Sequence, residues 1–295
     1  MTAMDFDAWA SHELDAVESA LDHWVPATAP AGLGEAMRYG VLDGGKRLRP
    51  LLVMAACATL SGQREAALRA AVAVELIHAY SLIHDDMPCM DNDVLRRGKP
   101  TVHVKFGQAQ AMLAGDAMQA LAFEVLTPAN AVEPSLQARL CGLLARSAGH
   151  AGMAGGQAID LASIGQPLDE MALRDMHQRK TGALLQASVL MGAACGRPDA
   201  TAWQALSDYG DAVGLAFQVV DDILDVTQES ATLGKTAGKD SDANKPTYVS
   251  VLGLAAARQH ALDLRERAHA DLGRSGLADV ALLAWLADKV VDRDN

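Results

Sequence analysis

The segment from Arg64 to Asp86 constrains the fold more than any other part of this sequence. Its middle, from Ala71 to Ile77, is apolar on most sides, which is typical of a helix at the centre of a bundle. Val72 to Val74 alone could form a short strand, but the length of the whole segment favours a helix. Alanine and leucine dominate the composition and aromatic residues make up only 4% of it, so helix is favoured throughout. The sequence therefore predicts an all-α fold.

Size and charge limit the functions open to the chain. Its 295 residues can bury a large core, and we expect one domain spanning residues 1–295. A formal net charge of -12 argues against a nucleic-acid partner, because a phosphate backbone needs a basic face. The four cysteines lack metal-ligand spacing, the amino terminus does not resemble a signal peptide, and no uninterrupted apolar run reaches the roughly 18 residues of a membrane span. We therefore expect a cytoplasmic protein without a membrane span.

The central segment ends in an acidic motif that two arginines follow. The motif contains four carboxylates within nine residues, Asp85, Asp86, Asp91 and Asp93. Carboxylates this close repel one another unless a cation lies among them. Mg²⁺ prefers carboxylate oxygens and completes its shell with substrate phosphate, and arginines such as Arg96 and Arg97 bind phosphate with two parallel donors. The motif therefore predicts a site for Mg²⁺ and a diphosphate, with a solvated acidic loop as the alternative.

A second acidic group lies more than a hundred residues later, in an otherwise apolar segment. On a helix, Asp221, Asp222 and Asp225 are spaced by three and four residues, so they project from one side, and Gln218 lies on the same stripe. Carboxylates are costly to bury without partners, so these should line a wet cavity that holds metal. Two acidic faces on separate helices could hold Mg²⁺ ions between them.

Basic residues form a local cluster despite the acidic balance of the chain. Lys46, Arg47 and Arg49 follow the glycine pair Gly44-Gly45, where backbone can approach a ligand closely. Such a cluster suits an anion such as a diphosphate, although an ordinary basic turn has the same composition.

Two further features concern the end of the central helix. His78 precedes Asp85 by seven residues, so it faces the acidic site from about two turns away, although a core histidine would fit the same position. Pro88 cannot continue the helical hydrogen bonding to His84, so the helix should open between Asp86 and Asp91. This opening would let both Asp85 and Asp91 reach the same ions.

Two later segments carry additional cations. Lys180-Thr181-Gly182 interrupts its helix with a cation, a hydroxyl and a residue that permits a kink. A polar loop between Thr227 and Pro246 could fold over a phosphate as a lid, although ordinary solvated loops look similar. Its lysines are Lys235, Lys239 and Lys245.

Taken in order, these motifs resemble those of the short-chain trans-isoprenyl diphosphate synthases, and in particular the bacterial farnesyl diphosphate synthases. The resemblance covers most of the chain and runs through Gly44 to Pro50, His78, Asp85 to Gly98, Lys180 to Gly182, Phe217 to Asp225 and Gly238 to Tyr248. It implies an all-α bundle with a deep central cavity, a homodimer, and three Mg²⁺ ions that bridge the aspartates to an allylic diphosphate.

The resemblance also implies a role for each site residue. Metal would be held by Asp85, Asp86 and Asp91 on one wall and by Asp221, Asp222 and Asp225 on the other. The allylic diphosphate would be bound by Arg96, Lys180 and Lys235, and isopentenyl diphosphate by Lys46, Arg49, His78 and Arg97. Thr181 and Gln218 would lie beside the allylic carbons, and Lys245 would be a further substrate contact. The catalytic residues would be Lys180, Thr181, Gln218 and Lys235.

The reaction implied is ionisation of dimethylallyl or geranyl diphosphate, condensation with isopentenyl diphosphate, and loss of a proton. Tyr80 lies five residues before Asp85, about 7.5 Å along the helix axis. In similar proteins an aromatic residue there stops growth at fifteen carbons, so Tyr80 and Ser81 would set the chain length and the product would be farnesyl diphosphate. Some synthases of the twenty-carbon product share the spacing of the first motif, so geranylgeranyl diphosphate is the alternative product.

Two other functions fit part of the pattern. A terpene cyclase uses similar aspartates, but it has no use for a second diphosphate site at Lys46, Arg49 and Arg97. A non-catalytic partner subunit of a prenyl synthase tends to lack an intact aspartate motif, and both motifs are complete here. The tail is less basic than in some relatives, so no role is assigned to Arg293.

Overall fold

The computed structural model describes residues 3–42, 44–166, 168–227 and 246–292. Within these ranges the chain is predominantly helical, which confirms the predicted all-α fold. The first seven helices are α1 (Ala3–Trp24), α2 (Leu33–Val41), α3 (Leu48–Thr59), α4 (Arg64–Asp85), α5 (Val102–Phe106), α6 (Gln108–Leu126) and α7 (Pro134–Ala148). The others are α8 (Met153–Ala162), α9 (Glu170–His177), α10 (Ala183–Ala194), α11 (Ala200–Thr227), α12 (Tyr248–Leu252), α13 (Leu254–Arg274) and α14 (Ala281–Val291). The predicted lid lysines, Lys235, Lys239 and Lys245, and Arg293 lie outside the described residues.

Helix α4 lies at the centre of the bundle, as its apolar composition predicts. It packs against α3, α6 and α10, and the side chains from Ala71 to Ile77 are almost completely buried. One apolar cluster surrounds α4 and α6, and a second surrounds α11 and α13. Helices α1, α3 and α10 contribute buried side chains to both clusters. The described part of the chain therefore packs around two neighbouring apolar cores that share these helices.

Among the described residues, α4 is long and apolar enough to cross a membrane, judged by length and composition alone. However, 67% of its most apolar stretch is buried inside the bundle. The core helix of a soluble protein has the same length and composition, so one such helix is weak support for a membrane span. The expected absence of a span stays a prediction.

Glycines explain two of the breaks between neighbouring helices. Helices α7 and α8 are separated around Gly152, where a Cβ atom would lie 2.1 Å from the Ser147 carbonyl oxygen. Helices α12 and α13 are separated by Gly253, whose φ of 84° lies in the left-handed region.

The structure also contains a short hairpin that the sequence did not predict. Strands β1 (Leu95–Arg96) and β2 (Lys99–Pro100) pair antiparallel in the connection after the first acidic motif. The turn between them is made by Arg97 and Gly98, whose φ values of 52° and 74° both lie in the left-handed region. The hairpin directs the two arginines of the motif back toward the end of α4.

Candidate active site

A cavity of about 790 Å³ lies between α4 and α11 and brings most of the predicted site residues together. The predicted residues in its lining are Lys46, Arg49, His78, Tyr80, Ser81, Asp85, Arg96, Arg97, Lys180, Thr181, Gln218 and Asp221. The predicted residues outside its lining are Asp86, Asp91, Asp222 and Asp225. Residues separated by more than 170 positions in the chain therefore face one space.

The first acidic motif opens after α4, as Pro88 predicts. Helix α4 ends at Asp85, and the chain then folds back so that the Asp91 amide donates to the Asp85 carbonyl at 2.8 Å. The Asp93 amide donates to the Asp86 carbonyl at 3.0 Å. The expected opening between Asp86 and Asp91 is confirmed, and it places Asp91 beside Asp85 instead of on another side of the helix.

The Asp85 carboxylate lies in an unfavourable environment for a negative charge. Burial, together with the charges of Asp91 and Asp86, raises the pKa of Asp85 to about 6, against the opposing influence of Lys180 and Arg96. A divalent cation would relieve this repulsion. Carboxylate oxygen is also the ligand that Mg²⁺ prefers, so the donor chemistry fits that ion.

The side chains of the described residues do not form a complete metal site by themselves. Within the described ranges, no group of three or more His, Cys, Asp or Glu side chains could hold a metal ion. Mg²⁺ is commonly held by one or two carboxylates together with waters and substrate phosphates. The arrangement is therefore suited to a metal ion that arrives with a phosphate ligand.

Asp86 and Arg96 are bound to each other. The Arg96 Nε and Nη2 atoms lie 2.8 Å and 2.6 Å from the Oδ2 and Oδ1 atoms of Asp86, which is a bidentate pair. The Asp86 side chain is almost fully buried, whereas Arg96 also lines the cavity. In this conformation Asp86 orients an arginine toward the cavity, and its predicted role as a metal ligand stays a prediction.

The second acidic motif is divided between two spaces. Asp221 lines the main cavity, whereas Asp222 lines a smaller cavity of about 70 Å³ beside it. The Asp222 carboxylate accepts hydrogen bonds from Gln218 Nε2 and from the Tyr248 backbone amide, both at 2.8 Å. Asp225 is buried at the same helix end. The three carboxylates share one side of α11, but only Asp221 lines the main cavity.

Lys180 and Thr181 reach the cavity from an irregular turn. Residues Gln178–Gly182 form a π-helical turn between α9 and α10, which confirms the predicted interruption at Lys180-Thr181-Gly182. The Lys180 Nζ atom lies 2.6 Å from Asp160 Oδ2. The Thr181 hydroxyl donates to Gln218 Oε1 at 3.0 Å. A continuous chain of hydrogen bonds thus runs from Thr181 through Gln218 to Asp222.

The basic side of the cavity is built around the glycine pair. Arg97 donates to the Gly44 carbonyl, and a Cβ atom at Gly45 would lie 2.8 Å from the Arg97 guanidinium, so this position favours glycine. His78 faces the same space, and desolvation, followed by the charges of Arg49 and other arginines, lowers its pKa well below the usual 6.5. The imidazole of His78 is therefore neutral near pH 7.

Arg47 lines the cavity between Lys46 and Arg49, but its guanidinium is paired within the protein. Its side chain is only 2% exposed and contacts Glu18 and Glu75. The expectation that all three cations of this cluster bind one anion stays a prediction.

Tyr80 lies in the cavity wall, as its position on α4 predicts. Its hydroxyl accepts a hydrogen bond of 3.4 Å from Gln119 on α6. Its ring meets the His84 ring edge-on, with the centroids 5.7 Å apart. His84 is in turn packed against Gly115, where a Cβ atom would lie 2.1 Å from the imidazole.

Sequence reasoning missed two polar residues of the site, Gln157 and Asp160 on α8. Asp160 is the partner of Lys180, and Gln157 lines the main cavity. Both are polar residues in the otherwise apolar run from Met153 to Ala162. That contrast is the same signal that identified the second acidic motif, and it could have identified these residues as well.

Comparisons with known proteins agree with this geometry. A family model described as polyprenyl synthetase matches residues 30–275. Heterodimeric geranylgeranyl pyrophosphate synthase large subunit 1 of Arabidopsis thaliana chloroplasts is 45% identical over 300 residues, which cover 100% of this chain and 81% of the relative.

Two solved structures have the same fold. An FPP/GFPP synthase from Zymomonas mobilis superposes with a TM-score of 0.87 and 42% identity, covering 98% of this chain and 100% of the other. A geranyltransferase from Helicobacter pylori, complexed with magnesium and isoprenyl diphosphate, superposes with a TM-score of 0.85 and 35% identity, covering 97% and 96%. The family resemblance inferred from the motifs is thereby confirmed.

Gly156 should be required for the position of Lys180. A Cβ atom at Gly156 would lie 2.1 Å from the Lys180 backbone nitrogen, so Gly156→Ala must push α8 away from the π-helical turn. We expect a loss of about 1–3 kcal/mol in unfolding free energy and a lower kcat/KM, measured by denaturant unfolding and steady-state kinetics. Gly273→Ala is the control, because a Cβ atom there has no neighbour within 4 Å among the described residues. A Gly156→Ala protein with wild-type stability would contradict the prediction.

His78 should make the ligand-free protein sensitive to acid. In the folded protein the pKa of His78 lies well below 6.5, the value expected in the unfolded chain. At a pH between the folded and the unfolded pKa, His78 is therefore protonated in the unfolded chain and neutral in the folded protein. The stability that His78 contributes is therefore present above pH 6.5 and is lost as the pH falls below it. We expect the Tm of His78→Gln to fall less than the wild-type Tm between about pH 7.5 and about pH 5.5. The same change at the exposed His12 is the control, and equal slopes in His78→Gln and wild type would refute the expectation.

Proposed function

Because the chain belongs to the polyprenyl synthetase family of trans-prenyltransferases, we propose that it condenses isopentenyl diphosphate with dimethylallyl and then geranyl diphosphate. One observation carries this proposal. Acidic residues of α4 and α11 and two separate groups of cations line the same cavity. Two groups of cations suit two diphosphates, whereas a terpene cyclase would need only one.

The proposed metal is Mg²⁺, with three ions in the complete site. The residues that would hold it are Asp85, Asp86 and Asp91 with Asp221, Asp222 and Asp225. Burial and the repulsion from neighbouring carboxylates, which together raise the pKa of Asp85, support a cation at this wall. When bound with the substrate, Mg²⁺ would stabilise the negative charge on the departing diphosphate. The relative from Helicobacter pylori is a complex with magnesium and isoprenyl diphosphate.

The chain's own cations would divide the two diphosphates between them. Lys180 and Arg96 lie next to the acidic wall, where they would bind the allylic diphosphate and stabilise its charge as the C–O bond breaks. Lys46, Arg49, Arg97 and His78 would hold isopentenyl diphosphate. Lys235 and Lys245, outside the described residues, are proposed as further phosphate contacts.

Thr181 and Gln218 would flank the allylic carbons. Their mutual hydrogen bond, and the bond from Gln218 to Asp222, fix both side chains before substrate binds. The isopentenyl double bond, held nearby, would attack the allylic cation in an effectively intramolecular step. The released diphosphate would take the proton, so the reaction needs neither a protein nucleophile nor a protein base.

We propose farnesyl diphosphate as the product, because the Tyr80 ring lies in the cavity wall below Asp85. Packing against His84 and the hydrogen bond from Gln119 support a fixed position for this ring. Geranylgeranyl diphosphate is the second candidate, and the names of the relatives from Arabidopsis thaliana favour it.

A single domain, a cytoplasmic location and a homodimer are also proposed. Large apolar side chains are exposed between residues 94 and 113, which would suit an interface between subunits. They are Val94, Leu95, Val104, Met112 and Leu113.

The purified protein should incorporate labelled isopentenyl diphosphate into prenyl products when Mg²⁺ and an allylic diphosphate are supplied. We expect geranyl diphosphate to yield a fifteen-carbon product by chromatography, and chelation of the metal to abolish incorporation. Hydrocarbon formed from farnesyl diphosphate alone would instead indicate a cyclase. No incorporation with either allylic diphosphate would indicate a non-catalytic partner subunit.

Replacing Tyr80 with alanine should lengthen the product, because it removes the ring from the wall of the cavity. Product sizing by chromatography should show chains longer than fifteen carbons in Tyr80→Ala. Tyr80→Phe, which keeps the ring and loses the hydroxyl, is the matched control and should retain the wild-type product. An unchanged product from Tyr80→Ala would show that another part of the cavity limits the chain.

A further inference from the structure

Arg47 has a strained backbone conformation beside the proposed diphosphate-binding residues. Its φ of 44° and ψ of 33° lie in the left-handed region, which residues other than glycine seldom occupy. It is the residue before α3, and it lines the cavity together with its neighbours Lys46 and Arg49. The conformation at Arg47 therefore determines how these two cations face the cavity.

The Arg47 side chain connects the loop to three helices. Its Nε atom lies 2.6 Å from Glu18 Oε1 on α1, and its Nη1 atom lies 2.5 Å from Glu75 Oε1 on α4. Its Nη2 atom donates to the Val41 carbonyl at the end of α2, also at 2.5 Å. Because both Arg47 and Glu75 are almost fully buried, these contacts are protected from solvent and from screening by salt.

Such a buried ion pair is a poor way to gain stability alone. The cost of removing both charges from water can exceed their attraction, and apolar residues of similar volume often stabilise a fold equally well. Arginine does, however, fix geometry, because its planar fork bonds several acceptors in defined directions. The contacts of Arg47 therefore suit a residue that determines where the loop lies.

The position of Glu75 connects this geometry to the substrate site. Glu75 and His78 are three residues apart on α4, so they are neighbours on one face of the helix. Arg47 thus fixes the loop residue Lys46 and the first turn of α3, which carries Arg49, to a residue one helical turn from His78. Its own charge faces two carboxylates, so Arg47 is poorly placed to bind a diphosphate itself.

We propose that Arg47 is a positioning residue for isopentenyl diphosphate: through Glu18 and Glu75 it holds Lys46 and Arg49 opposite His78. The inference rests on the proposed function and adds a residue outside the proposed set of ligands. Arg47 should affect the binding of isopentenyl diphosphate and not of the allylic diphosphate, because the residues proposed for the allylic diphosphate lie on other elements.

The test compares the two substrates in Arg47→Met and in the double variant Arg47→Met with Glu75→Met. The single variant leaves Glu75 buried without its partner and should be destabilised. The double variant replaces the buried pair with apolar side chains, so it should recover thermal stability. Steady-state kinetics and calorimetric titration of isopentenyl diphosphate would then be measured on the double variant.

We expect the KM of the double variant for isopentenyl diphosphate to be at least about tenfold above the wild-type value. A displacement of a substrate-binding group by about 1 Å can reduce activity by up to 10²-fold. The KM for geranyl diphosphate should stay within about twofold of wild type. The calorimetric Kd for isopentenyl diphosphate should rise in parallel with the KM for the same substrate. Glu18→Gln, which weakens only the contact to α1, should show a smaller change of the same kind.

Arg64→Met is the matched control. Arg64 on α4 pairs with Glu13 on α1, so it joins two of the same helices, but it is not part of the cavity lining. Its loss should lower the Tm without a selective effect on isopentenyl diphosphate. A double variant with both wild-type stability and a wild-type KM would overturn the inference, as would equal losses for both substrates. An inactive wild-type protein would instead overturn the proposed function.

Discussion

The site depends on holding several carboxylates inside an apolar bundle. A buried carboxylate is costly unless hydrogen bonds or opposite charges offset its lost hydration. Most of these acids have a visible partner: Arg96 for Asp86, Lys180 for Asp160, and Arg47 for Glu75. Asp85 differs, because burial and its acidic neighbours raise its pKa in spite of Lys180 and Arg96. An incompletely compensated charge therefore lies where a metal and a diphosphate would bind in the proposed function.

Irregular backbone presents several of these groups. Consecutive residues of an α-helix point about 100° apart, so a regular helix turns neighbouring side chains in different directions. The π-helical turn lets both Lys180 and Thr181 line the cavity, and the opening after α4 brings Asp91 beside Asp85. The regular helices supply the rigid frame and residues such as His78 and Asp221, and the interruptions add Asp91, Lys180 and Thr181.

The features that could be predicted from the sequence are those that local rules determine. The apolar course of α4, the opening at Pro88 and the interruption at Lys180 each follow from residues within a few positions. The orientation of Arg47 could not be predicted, because its partners Glu18 and Glu75 are 29 and 28 residues away. The placement of Asp221 and Asp222 in different cavities could not be predicted either, since the Tyr248 amide that binds Asp222 lies 26 residues further along the chain.

Product length poses a different physical problem from the chemistry. Each added isoprenoid unit has five carbons, and at about 0.8 kcal/mol per buried methylene a deeper apolar cavity would favour a longer chain by about 4 kcal/mol. Affinity therefore cannot stop elongation, and a steric obstacle must do so. In the proposed function the ring of Tyr80, supported by His84 and Gln119, would be an obstacle of this kind. Because Tyr80 precedes Asp85 by five residues on α4, a change there would alter product length and leave the charged end of the cavity intact. Relatives named for different products can share one fold for the same reason.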